Sequence, residues 1–336
     1  MIRYGLVLLL ALITLAGHSQ NYIYDRITDP SVKAMTIQTD FRKLIREKSK
    51  EIYQNGQLIV EMDGSTDTFD IELRARGNSR QSICYYPPIK LKFSKKALNI
   101  PEPNTVKLVN CCRNTDDYEA LLWKEYLIYG LYRILTDVSF RTQIVPITYV
   151  DVTKPKATYT RMGFLIEPEE ELAAKLHGQM YEPKITLNKI MDSTMLSVIT
   201  IFQYVIGNTD WAVGNQHNMS IIRTENNLPY PIPYDFDYAG LVNASYAVPH
   251  ESLPIKKVTE RFNRSYCLSE GQVREARETL LTKETAMYDE IDGCPGLDDR
   301  EKKQMKSYLK EGFELIRDER RAIQIFTRDC LEWPKN

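Results

Sequence analysis

Apolar and polar residues alternate over 57–62, QLIVEM, and again over 68–74, TFDIELR, with the turn-forming stretch DGSTD between them. Period-two alternation on both sides of such a turn predicts an antiparallel hairpin. PPIKLKF predicts a third strand, with Ile89, Leu91 and Phe93 facing a core and Lys90 and Lys92 together on the opposite face. TVKLV at 105–109 predicts a fourth. The period then changes. Over 117–135, Leu121, Leu122, Leu127, Ile128 and Leu131 group toward one side of a helix. Two strands follow, QIVPITYVDV and RMGFLIEP, joined by a turn around Lys154 and Pro155, and EEELAAKLHG reads as a short helix with a glycine stop. From Ser193 to Ile206 the chain is apolar nearly all round, which predicts a buried helix ending at Gly207. NMSIIRT and PYPIPYDFD, on either side of ENNLP, read as another hairpin. The tail reads as helices at 270–288 and 298–328, the second carrying a stripe of Met305, Leu309, Phe313, Ile316 and Ile323. The pattern is that of an α+β chain: a sheet with one helix, then a mainly helical half that carries a hairpin.

The first residues stand outside this pattern. Arg3 gives a short basic start, Leu6 to Ala16 is apolar but short for a bilayer span, and Gly17 and Ser19 are small. This predicts a cleavable export signal over 1–19, with an anchor helix as the alternative. The expected protein is exported, periplasmic or at the cell surface, with no transmembrane segment after cleavage. The remaining 20–336 is expected to fold as one domain, sheet-rich over 20–165 and helical over 166–336. A net charge of −1 and the lack of a long basic tract argue against nucleic acid as a partner. Six cysteines show no CxxC pairing, so a zinc site is not expected, while an exported chain permits disulfides. Cys111 and Cys112 are adjacent and not expected to bond each other; the pairing stays open.

Candidate chemistry centres on GNTDWAVGNQHN at 207–218 and on YDFDYAG from Tyr234. Asn and Asp favour turns, and either motif alone would be read as one. Their order changes the picture. Phosphoryl transfer needs an acid near the attacking hydroxyl, oxygen ligands for a divalent cation, and cations on the phosphates. Asp210 and Asn215 reproduce the aspartate-to-asparagine spacing of a kinase catalytic loop, Asn218 is a second candidate ligand, and Asp235 falls at a strand end. An upstream strand lysine completes the set.

ARGNSR…YYPPIKLKF, GNTDWAVGNQHN and PIPYDFDYAG, in this order, resemble the spore coat protein H (CotH) kinase-like family. The two acidic loops also look like those of HipA-type atypical kinases. The resemblance covers roughly 55–245 and is strongest in the acidic motifs. It implies an atypical protein-kinase-like, two-lobed fold, with a small antiparallel sheet lobe and a mainly helical lobe. It also implies ATP with Mg or Mn as the bound groups and a protein serine or threonine as acceptor. Asp210 matches the catalytic aspartate. Asn218, favoured over Asn215 because HN recurs in the family pattern, matches the loop metal ligand. Asp235 matches the principal metal-binding aspartate, with Asp237 as the alternative behind it. Lys90 matches the phosphate-binding lysine, although Lys92 shares its face. Arg76 would face the phosphates, Glu119 or Glu125 would hold the lysine, and Glu167 would stand where a hinge meets adenine.

The chain departs from the family of ordinary kinases in two ways. It has no glycine-rich GxGxxG loop, and Asn-Thr-Asp stands where His-Arg-Asp is usual. An exported protein would also meet little ATP. A catalytically inactive pseudokinase, or an envelope protein holding a partner in the same cleft, is therefore the second expectation. Hydrolysis by paired carboxylates, Asp210 and Asp235, is a third, but it leaves the asparagines and the lysine without roles.

Overall fold

In a computed structural model the described residues are 22–331, except 155, 182, 184–189 and 227. The export-signal segment lies outside them. Seven strands close into a barrel in the order β1-β2-β3-β4-β5-β7-β6. They are β1 (Val32–Thr39), β2 (Gln54–Met62), β3 (Ser65–Ala75), β4 (Ile89–Phe93), β5 (Thr105–Asn110), β6 (Thr142–Asp151) and β7 (Thr158–Ile166). All neighbours are antiparallel except β1 and β6, whose parallel pairing from Met35–Ile147 to Thr39–Asp151 closes the ring. Closure, with one parallel pairing, corrects the expected small antiparallel sheet. The closing strand β1 carries its own alternation, with Val32, Met35, Ile37 and Thr39 buried, and it removes two edges that would otherwise lie unpaired.

Inward-facing side chains fill the barrel, among them Leu58, Phe69, Leu73, Leu91, Phe93 and Leu108. Short helices decorate it: α1 (Ile23–Ile27), α2 (Phe41–Glu47), α3 (Ser79–Ile83) and α4 (Lys95–Leu98). The long α5 (Asp116–Leu135) crosses to a second core. Strands β5 and β7 serve both cores. Leu108 and Leu165 point into the barrel, whereas Val109, Phe164 and Ile166 point out onto the helical side. Period-two geometry makes this double use possible.

The helical half comprises α6 (Glu169–Lys175), α7 (Ser193–Val205), α8 (Glu270–Asp292), α9 (Asp299–Arg317) and α10 (Glu319–Thr327). Helix α7 is buried on every side, with Ile199, Ile201, Phe202 and Val205 fully enclosed. The tail expected as one helix over 298–328 is two, because Asp318 leaves helical geometry and caps α10 by accepting from the Arg321 amide. The hairpin is β9 (Met219–Arg223) with β10 (Pro229–Pro233), and β8 (Gln179–Met180) joins it as a third strand.

Disulfides join Cys84 to Cys112 and Cys267 to Cys330, leaving Cys111 and Cys294 as buried thiols. Two disulfides are compatible with an oxidising, exported setting. Among the described residues no helix is long and apolar enough to cross a membrane.

Candidate functional site

Helix α7 delivers the acidic loop, and close packing holds the point of departure. Gly207 has φ +67°, and a Cβ there would lie 1.9 Å from the Tyr308 hydroxyl oxygen, so only glycine serves. Its carbonyl accepts from the Gly240 amide at 3.0 Å, which ties the loop to the end of the second acidic motif. Asn208 is buried. Its Oδ1 accepts from the Asp210 amide at 2.9 Å, the local bond that shapes the turn presenting Asp210. Arg264 donates to the Thr209 carbonyl at 2.7 Å from the opposite side.

Both carboxylate oxygens of Asp210 are engaged. Oδ1 lies 2.7 Å from His217 Nε2, and Oδ2 accepts from Asn218 Nδ2 at 3.0 Å. The same Nδ2 donates to the Asp210 carbonyl at 2.8 Å. Only the amide nitrogen can serve two acceptors, so Asn218 Oδ1 points elsewhere and has no protein partner among the described residues. The hydrogen bond to Asp210 raises the His217 pKa above the ordinary imidazole range, against the opposing effect of burial.

Asn218 also accepts, through its carbonyl, from the Tyr234 amide at 3.1 Å, which sets Asp235 beside it. Asp235 follows β10 in the left-handed region at φ +61°, and Asn218 itself sits at φ +51°. Asn and Asp take such backbone more readily than other non-glycine residues, so both positions suit the turn they occupy. The Tyr129 hydroxyl from α5 accepts from the Asp235 amide at 2.9 Å and holds that position.

The barrel supplies the facing wall. Arg74 on β3, Lys90 on β4 and Lys107 on β5 are cross-strand partners in register. Like charges directly opposite one another destabilise a sheet. Lys107 is relieved by Glu169; burial pushes that carboxyl up, but the charge and hydrogen bond of Lys107, with help from Ser220 and Lys90, together bring its pKa below the ordinary value. Arg74 lies over the Tyr53 ring. Lys90 has no hydrogen bond or ion pair to protein among the described residues, and neither does the Arg76 guanidinium, whose Nε is buried. These cations, with Asp210, Asn218, Asp235 and Asp237, line one cleft of about 340 Å³.

A buried network forms the floor. Arg80 Nη1 meets Glu125 Oε2 at 2.9 Å, its Nη2 donates to the Asn110 carbonyl at 3.1 Å, and its Nε is 3.9 Å from Asp237 Oδ2. Tyr246 donates to Asp237 at 3.1 Å. Burial pushes both carboxyls up, Glu125 and Asp237 alike, with Arg80 opposing the rise in each.

The structure therefore brings together Asp210, Asn218, Asp235, Asp237, Lys90 and Arg76. Other expected residues lie elsewhere. Asn215 is exposed and caps its own turn, accepting from the His217 amide at 3.3 Å. Glu119 accepts from the Met162 amide and faces Arg161 at 3.5 Å, away from the cleft. Glu125 reaches the floor but holds Arg80, not a lysine. Glu167 is buried against Arg141, at 2.7 Å from its Nε, and does not line the cleft. Lys92 pairs with Glu72 at 2.7 Å in a separate, larger groove of about 780 Å³ on the barrel flank. That groove brings no comparable set of acids and free cations together.

Sequence reasoning passed over Arg80, His217 and Lys107. Arg80 and His217 stand inside the quoted motifs ARGNSR and GNQHN. Lys107 becomes visible only once β4 and β5 are put in register.

The oxygen donors suit a hard cation. Among the described residues no three His, Cys, Asp or Glu side chains form a metal cage. Magnesium needs only one or two protein carboxylates when phosphate and water complete its shell. Asp235 and the unpartnered Asn218 Oδ1 meet that requirement.

No known protein-family description matches the chain, and no curated protein matches it in sequence. Among solved structures, the chain is similar to the Helicobacter pylori proinflammatory kinase CtkA at 12% identity and a TM-score of 0.40. The match covers 70% of this chain and 94% of that one. At that score the likeness decides nothing about chemistry. The fold and cleft define an α+β protein whose barrel wall of cations confronts a loop of acids and amides.

Proposed function

We propose that the protein is a kinase-type phosphotransferase that takes ATP with Mg or Mn in this cleft and passes phosphate to a protein hydroxyl. One observation carries the reading. An in-register row of cations, with Lys90 unpaired, faces Asp210, Asn218 and Asp235 across a single cleft. Three positive side chains in mutual repulsion are stabilised by a polyanion, and the facing oxygens suit the cation that accompanies one.

In this reading Lys90 and Arg76 hold phosphate oxygens, as point charge and planar fork respectively. Asp235 and Asn218 Oδ1 hold the divalent cation, which when bound neutralises charge on the phosphates. Asp210 orients the acceptor hydroxyl and takes its proton, and His217 fixes the carboxylate rotamer. Arg80 holds the floor beneath Asp235 and Asp237.

The test is titration of the mature chain with ATP in the presence and absence of Mg or Mn, followed by labelled-phosphate transfer to a serine-rich acceptor. Metal-dependent binding with transfer supports the reading. Absence of nucleotide binding overturns it.

A second reading has its own support. Each Asp210 oxygen already accepts one bond, from His217 and from Asn218, so half of the carboxylate's lone-pair sites are filled before any acceptor hydroxyl arrives. That crowding favours a pseudokinase or envelope protein that binds in the cleft without transfer. Nucleotide binding without transfer from any donor would select it.

A further inference from the structure

A third concavity, of about 670 Å³, lies between α2, the segment after α3, and the ends of β6 and β7. Its floor is tyrosine. Tyr149 and Tyr159 stack at 4.8 Å between ring centroids, Tyr86 lies 4.8 Å from Tyr159, and Tyr85 meets Tyr86 edge-on at 4.8 Å. Tyr85 is 58% exposed at the open end. At the closed end Tyr149 is 2% exposed, and its hydroxyl has no hydrogen-bond partner among the described residues. An enclosed hydroxyl without a partner is costly unless something supplies one.

The groove is also positive. Arg42 and Lys154 line it without an ion pair among the described residues. Its one acid, Asp151, is buried and accepts from the Thr153 amide and hydroxyl at 2.9 and 2.7 Å, so it serves its own turn. Aromatic faces with unneutralised cations beside them fit an extended peptide carrying acidic and aromatic side chains.

The covalent layout ties this groove to the cleft. Residues 76–80 line the cleft, and Tyr85 and Tyr86 line the groove. Between them stand only Gln81, Ser82 and Ile83 of α3, about 4.5 Å of helix, and Cys84, which is bonded to Cys112. A chain lying in the groove therefore has one end beside the segment whose first residues line the cleft.

We propose that the tyrosine groove docks an acidic, aromatic-bearing segment of the protein acceptor and so delivers its hydroxyl to the cleft. Calling that partner the acceptor rests on the phosphotransfer reading; the docking itself does not. The probes are a random Glu/Tyr copolymer, poly-Glu, poly-Lys and heparin, titrated without nucleotide by calorimetry at low and high salt. The copolymer is expected to bind more tightly than poly-Glu, with affinity falling as salt rises, and poly-Lys is expected not to bind. Reversing charge with R42E/K154E should weaken copolymer binding by about tenfold or more at low salt. Tyr85→Ala should weaken the copolymer but not poly-Glu. Both variants should keep the parent's circular dichroism and its nucleotide affinity. Unchanged copolymer binding in R42E/K154E, or no binding by the parent, overturns the proposal. Heparin binding as tight as the copolymer's and indifferent to Tyr85→Ala also overturns it, in favour of a polyanion surface. Copolymer binding by a parent that binds no nucleotide upholds the groove and removes the phosphotransfer reading alone.

Discussion

Arg80→Met tests the floor of the site more directly than any change at its rim. Arg80, Glu125 and Asp237 have side chains only 8%, 2% and 5% exposed, with the guanidinium 2.9 Å from one carboxylate and 3.9 Å from the other. Methionine keeps much of the volume and removes the charge. Two carboxyls then remain buried without a cation, and breaking such a group by removing one partner costs about 3–5 kcal/mol. The cost has a pH signature. Both carboxyls already have raised pKa values because of burial, so the native state holds a proton that the unfolded chain has released. Over that range the native state binds more protons, and stability falls as pH rises from the ordinary carboxylate range through the raised values. Without Arg80 both values rise further, so the variant's deficit should be small near pH 5 and reach the full amount near pH 8. Urea unfolding followed by fluorescence of the buried Trp123 and Trp211 reads this at each pH. R80M/E125Q should recover part of the loss at pH 8, because the amide needs no countercharge. A deficit below about 1 kcal/mol at pH 8, or one that shrinks with rising pH, would refute the assignment of the floor as a charge-coupled unit.

Asp235→Asn keeps a side chain tolerant of φ +61° and should abolish metal-dependent nucleotide binding while changing stability by less than about 1 kcal/mol. Intact binding in that variant, measured by calorimetry, would assign Asp235 to structure. Asp210→Asn should leave nucleotide affinity within a few-fold of the parent, yet lower labelled-phosphate transfer by about 100-fold or more. Equal losses in both readouts would make Asp210 a binding residue. Replacing Cys84 and Cys112 by serine opens a cross-link spanning 28 residues and should cost about 3–4 kcal/mol in urea unfolding. Since that bond anchors the segment bearing Arg76 and Arg80, nucleotide affinity should fall with it; unchanged affinity would show that the floor network holds the segment alone.

How much of this was legible in the chain depended on whether the signal was local. Helix α7 and the hairpin β9–β10 could be read because a wholly apolar run and a turn-flanked alternation are local patterns. The break at Asp318 was missed because the apolar stripe runs on through it, while the cap that ends the helix looks in sequence like another exposed acid. Barrel closure was missed for a different reason. The alternation of β1 is present, but its pairing with β6 lies more than 100 residues away, and a parallel partner leaves no turn to announce it. Glu119 and Glu125 illustrate the same limit within one helix. They stand six residues apart on α5, and only the packing of Arg80 against one and Arg161 against the other separates a buried floor residue from a half-exposed one.

The acids of the site could be named from the chain because they sit in two short motifs, and Lys90 and Arg76 stood in quoted stretches as well. The row that joins Lys90 to Arg74 and Lys107, by contrast, appears only once three strands are in register. Arg74, Lys90 and Lys107 share one row because β3, β4 and β5 pair as they do, and a one-residue slip would have turned Lys90 into the barrel. The neighbouring row shows what the sheet does when a charge serves stability alone: Lys92 stands opposite Glu72 and bonds it at 2.7 Å. Lys90 has cations on both sides and no bonded acid, on the same strand and two residues away. Local consistency would have placed an acid there as well. Its absence leaves a repulsion that Glu169, paired with Lys107, relieves only in part, and the cleft that row faces is where Asp235 and the unpartnered oxygen of Asn218 would hold a cation accompanying a polyanion.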